Sequence, residues 1–196
     1  MTNSKNQLTR IVFGAVMAAI ICVITLFRIP LGQSKVHFAN AMCLLAGLLL
    51  GPVTGGLSAG LGSALYDVLF GGYDFLNAAI TFVSKFAMAW VTAMIFGAWK
   101  KKHGNPEFRE TVLPLVLSCI AGSLTYVALY MLKTWIFKMY VEPVPVDTIP
   151  SVMVAKLVPS LINAAFAIVV APVFYHAVLP ALKSTGVFRR LEAAER

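Results

Sequence analysis

The chain has 196 residues, of which 59% are apolar and only 12% charged, with a formal net charge of +8. Its mean hydropathy of +0.83 is far above what a soluble domain needs, so a water-soluble globule is excluded. Nucleic acid is not the partner that the basic excess implies, because Lys and Arg gather in short clusters beside apolar runs, as in the loops of membrane proteins.

Unpaired backbone groups are costly in hydrocarbon, so such a chain crosses a membrane as helices or as a closed barrel, and long apolar runs without alternation select helices. The first run is Ile11 to Phe27, which ends at Arg28-Ile29-Pro30 and the segment Leu31-Gly32-Gln33-Ser34-Lys35. No small-residue cleavage site follows it, so it is expected to be a retained span. The second run, Val36 to Leu50, is short against the roughly 20 residues that cross a bilayer. Gly51-Pro52 then turns into a third run, Val53 to Phe70, closed by Gly71-Gly72-Tyr73-Asp74. The fourth run is Ala78 to Trp99, followed by the basic loop Lys100-Lys101-Lys102-His103-Gly104-Asn105-Pro106. The fifth is Thr111 to Met139. After the proline-rich loop Val141 to Pro150 comes the sixth, Val152 to Leu182, which Pro159 and Pro172 are expected to kink. The expectation is one all-α membrane domain over residues 1–196, a bundle of six transmembrane helices.

Placing both termini in the cytoplasm puts Lys5, Arg10, Lys100, Lys101, Lys102, Arg109, Lys183, Arg189, Arg190 and Arg196 on the inner side, ten of the sixteen basic residues. Arg28 and Lys35 fall in the first outer loop, and Lys85, Lys133, Lys138 and Lys156 within the spans. Lys133, Lys138 and Arg28 are read as snorkelling anchors. The glycines at 47, 51, 55, 56, 60 and 62 are read as close-packing positions of the second and third helices. Cys22, Cys43 and Cys119 have no CxxC spacing and read as packing thiols.

Depth of polar residues carries the functional signal. In this orientation His37, Asn40, Ser63, Asp67, Asn77, Thr81, Lys85, Lys156, Ser160 and Asn163 all lie in the outer halves of the spans, and the inner halves are almost purely apolar. A charge at mid-span costs about 2.5–3.5 kcal/mol on insertion scales, so such residues face a partner or a wet cavity. Asn77, Thr81 and Lys85 follow at four-residue steps along one helix face, as do Lys156, Ser160 and Asn163 at i, i+4 and i+7. With Tyr73 in the loop at the same level, these stripes predict an outward pocket for an anionic or carbonyl-rich ligand. Tyr73 and Trp135 are candidates for stacking on a ring. A plainer reading of Asp67 and Lys85 is a structural ion pair between neighbouring helices. No HExxH, GxSxG, Walker or GxGxxG arrangement is present, and His37, His103 and His176 are scattered, so neither enzyme chemistry, a cofactor nor a metal is expected.

The string from His37 through Asn40 to Gly51-Pro52, then Gly55 to Asp67 and Gly71-Gly72-Tyr73, together with Thr81 to Lys85 and Arg28-Ile29-Pro30, resembles the substrate-binding S component of energy-coupling factor (ECF) transporters. The resemblance is carried by about residues 10–100 and beyond them by helix count and length. It implies capture of a vitamin or related micronutrient from outside the cell, docking on a transmembrane coupling subunit that carries two cytoplasmic ATPases, and toppling to release the ligand inside. It also implies that Ala15 and Ala19 of the first helix form the docking surface. Many riboflavin-type members carry Gly-Asp where this chain has Ala39-Asn40, which leaves pantothenate, a pyrimidine or thiazole precursor, a flavin and a folate-like acid open as ligands. Two other readings compete. A stand-alone ion-coupled carrier needs a polar relay reaching both sides, which the apolar inner halves lack. A membrane enzyme needs a convergent catalytic group, for which only Asp67 and Lys85 offer themselves.

Overall fold

The computed structural model describes residues 2–31, 34–104, 108–188 and 191. The side chains of Arg28, Lys35 and His37, and residues Arg189, Arg190 and Arg196, lie outside the described residues. In chain order the elements are α1 (Thr2–Leu26), a two-stranded antiparallel hairpin of β1 (Arg28–Leu31) and β2 (Ser34–His37), α2 (Ala39–Tyr66), α3 (Phe75–His103), α4 (Phe108–Ile136) and α5 (Ile149–Ser184). The π-helical segments Asp67–Gly71 and Phe137–Val141 extend α2 and α4. Five helices are long and apolar enough to cross a membrane. The chain is therefore a multi-pass membrane protein built almost wholly from helices.

One feature differs from the sequence reading. The segment after Phe27 forms a small β-hairpin, with Arg28 opposite His37 and Leu31 opposite Ser34, so the following helix begins at Ala39 rather than Val36. The runs expected as separate second and third helices form the two halves of α2, which meet at the non-helical Gly51 (φ 78°, ψ −179°), where the sequence reading places a tight turn. That backbone conformation is open essentially to glycine alone. The chain reverses there. Cys43 Sγ and Ser63 Oγ are 3.8 Å apart, whereas twenty residues of straight helix would span about 30 Å. A Cβ on Gly55 would sit 2.5 Å from the Ala46 carbonyl oxygen and 2.6 Å from the Cα of Gly47. The two halves of α2 thus lie backbone against backbone, with glycine as the residue that permits it.

Glycine also sets the distances to the flanking helices. A Cβ at Gly47 would collide with the Ala89 backbone of α3, and one at Gly62 with the Ala18 backbone of α1. Gly56 and Gly60 receive the rings of Phe86 and Phe82. Residues 39–50, the first half of α2, are all buried, and they form the axis around which the other helices pack. Met17 and Ile21 of α1, Met88 and Phe96 of α3, Leu115 and Cys119 of α4, and Ala167 and Tyr175 of α5 close on it. Ser58 bridges α1 and α2 by donating to the Gly14 carbonyl at 2.9 Å. Helix α5 runs uninterrupted through Pro159, Pro172 and Pro180.

Arg10 donates to the Leu50 carbonyl at 3.2 Å, which ties the start of α1 to the Gly51 turn. Lys100, at the end of α3, lies over the Phe188 ring, 4.8 Å from its centroid. The basic loop, the Gly51 turn and the residues after α5 therefore share one end of the bundle. The hairpin, the 72–74 loop and the start of α5 occupy the other.

Candidate functional site

A cavity of about 490 Å³ opens between the helices at the hairpin end, within the range of small-molecule sites. The seven residues expected to bind ligand, Asn40, Asp67, Tyr73, Asn77, Lys85, Lys156 and Asn163, all line it. They come from α2, the 72–74 loop, α3 and α5. Helical geometry explains the convergence, because four-residue steps keep Asn77, Thr81 and Lys85 on one face, about 12 Å from top to bottom.

Lys85 forms the floor. It is 3% exposed, donates to Asn40 Oδ1 across 45 residues of sequence, and places its ammonium 3.6 Å from the centroid of the Tyr126 ring. Asn40 itself is 2% exposed. This arrangement replaces the Asp67–Lys85 ion pair considered from the sequence. Asp67 instead lines the cavity with Thr81 and feels Lys85 and Lys133 through space. It opens the π-helical turn that Gly72 closes at φ +68°. Single π turns often mark functional positions, since they turn side chains off the helical register. Asn163, 6% exposed, donates to the Pro159 carbonyl at 3.2 Å, and Ser160 donates to the Lys156 carbonyl at 2.8 Å.

The rim is held by the start of α3. Asp74 caps that helix, accepting from the Asn77 backbone N–H at 2.7 Å and from its side-chain amide at 3.0 Å. An Asp74→Ala substitution is expected to cost about 1 kcal/mol of stability, read as a lower melting temperature, and to loosen Asn77 with it.

Helix α4 supplies what the sequence reading missed. Tyr126 and Tyr130, with ring centroids 6.0 Å apart and planes 22° from parallel, form one wall together with Lys133, Thr134, Phe137 and Lys138. Their spacing, 126, 130, 133/134 and 137/138, is a helix face and was the available signal. Lys133 and Lys138 were expected to be membrane anchors. They border the cavity instead, Lys133 lying 5.2 Å from the Phe137 ring centroid and Lys138 in contact with Glu142 at 2.6 Å. Trp135 is not in the lining and packs edge-on against Tyr140.

Ala15 and Ala19 are exposed on the outer side of α1, with Ile11, Val16 and Val23 beside them. Gly14, Met17, Ala18 and Ile21 form the opposite, buried face. Among the described residues no group of three or more His, Cys, Asp and Glu side chains is placed to hold a metal ion.

A protein of Pyrococcus woesei described as "Uncharacterized protein in gap 3'region" is 35% identical over 100 residues, which is 51% of this chain and 62% of that protein. The match thus spans less than two thirds of the relative's length. The sequence model of the family described as "ECF-type riboflavin transporter, S component" matches residues 5–179, nearly the whole of the helical bundle. The chain belongs to this family of transporter S components.

Proposed function

We infer that the protein is the substrate-specific S component of an ECF transporter in the cell membrane, which takes a vitamin-like molecule from outside for ATP-driven uptake by partner subunits. The observation that carries this reading is the cavity at one end of the bundle, where aromatic rings and a buried lysine meet the amide side chains of Asn40, Asn77 and Asn163. In this reading each half of α2 crosses the membrane, so the bundle has six spans and both termini are cytoplasmic. The basic residues Arg10, Lys100, Lys101 and Lys102 at the end opposite the cavity support that orientation. Docking on the coupling subunit is assigned to Ala15 and Ala19, small residues on an exposed apolar face.

The family description names riboflavin, so riboflavin is the first ligand to titrate, by quenching of its fluorescence with purified protein. Mass spectrometry of small molecules that copurify gives an independent identification. For the ligand that copurifies, Lys85→Ala and Asn163→Ala are each expected to weaken binding about tenfold, the equivalent of one lost hydrogen bond to a charged or buried group. Unchanged affinity in both variants, with the bundle still folded, would move the site elsewhere.

A further inference from the structure

Among the described residues the cavity lining carries more lysines than carboxylates. Four lysines, Lys85, Lys133, Lys138 and Lys156, meet two carboxylates, Asp67 and Glu142, and Glu142 is already in contact with Lys138. The imbalance is sharpest at the floor. An ammonium has three N–H donors. At Lys85 one is taken by Asn40 Oδ1 and the charge rests on the face of Tyr126, and both of these partners are neutral. Among the described residues no carboxylate lies within the 4.0 Å of a contact ion pair with its nitrogen, and Asp67 acts on it only from farther off.

A buried ammonium is tolerated when its charge is compensated and its donors are satisfied. Replacing it by an apolar residue of the same volume is often neutral or stabilising, so the fold alone gives no reason for a cation here. Lys85 itself lines the cavity. A neutral carbonyl entering from there would accept a hydrogen bond and leave the charge uncompensated, whereas an anion would supply both. Lys133, about 10 Å above Tyr126 along α4, adds positive potential on the way in, which draws anions toward the site. The aromatic groups Tyr66, Tyr126 and Tyr130 beside this path suit a flat ring.

We propose that the ligand is an anionic ring compound whose carboxylate or phosphate group seats on the Lys85 ammonium, with its ring lodged among Tyr66, Tyr126 and Tyr130. This rests on the S-component reading and narrows its substrate class. Asn40 then positions the ammonium, and Lys85 selects for charge.

The test is calorimetric titration of the purified full chain with matched pairs that differ in charge: riboflavin with flavin mononucleotide, nicotinamide with nicotinate, and pyridoxine with 4-pyridoxate. In a pair that binds, the anionic member is expected to bind at least about tenfold tighter. Lys85→Met is expected to abolish that preference, weakening the anion by about tenfold or more and the neutral member by no more than about twofold, whereas Lys85→Arg retains it. Equal or tighter binding of the neutral member overturns the proposal and leaves the S-component reading standing. So does an equal loss for both members in Lys85→Met. If Lys85→Met does not fold, the comparison in the unmodified protein decides alone. Failure of every member of every pair to bind overturns both the proposal and the reading beneath it.

Discussion

Uptake in cells is expected to fall by about 100-fold or more when Ala15 and Ala19 are both changed to tryptophan, with ligand affinity of the purified protein unchanged within about twofold. Both residues are exposed on α1 and neither lines the cavity, so the substitutions leave the binding site and the bundle interior untouched. They lie one helical turn apart on one face. Small side chains there let a partner helix approach to backbone contact, which two indoles would prevent. A 100-fold loss corresponds to about 2.8 kcal/mol of docking energy. Radiolabelled ligand uptake by cells that coexpress the coupling and ATPase subunits checks it, alongside pull-down of those subunits. Normal uptake would remove α1 from the interface.

The second large effect concerns folding. Gly55→Leu is expected to abolish the yield of monodisperse protein, because the Cβ would meet the backbone of Ala46 and Gly47 at 2.5–2.7 Å, where no side chain can swing aside. Ordinary overpacking costs about 1–3 kcal/mol, but here the two halves of α2 would have to separate along their contact. Gly97→Ala is the matched control. Nothing lies within 4 Å of a Cβ at that position, and alanine is a better helix former than glycine by about 1 kcal/mol, so its thermal stability is expected to be equal or slightly higher. Size-exclusion profiles and melting curves of the two variants should therefore diverge.

The positions of the helices were legible because apolar runs mark where a chain meets hydrocarbon. Their ends were not, since a helix continues past the apolar run into the interface. Thus α1 begins at Thr2 rather than Ile11, and α3 ends at His103 rather than Trp99. The β-hairpin left no readable trace, being two four-residue strands, one of which contains Pro30. Of the cavity, the polar stripes on α3 and α5 could be read, because an amide or lysine inside an apolar run stands out and its spacing names the face. For Tyr126 and Tyr130 the spacing marks a face but not what it meets, because tyrosine is as common at the lipid boundary as in a cavity. Lys133 and Lys138 were misplaced for a related reason. A lysine near a span's end usually snorkels, and whether it points along the membrane or inward depends on neighbouring helices that the local sequence does not describe.

The enclosed first half of α2 bears on how the protein enters the membrane at all. Twelve residues of helix span about 18 Å, well short of the hydrocarbon core, so this segment is a poor candidate for recognition on its own by the insertion machinery. Its flanking turn is a single glycine, and its contact with the second half is made through backbone. The two halves are therefore expected to partition into the bilayer together, as one preformed helical hairpin delivered after α1. Insertion after α1 is then expected to take four events instead of five, namely one hairpin and three single helices.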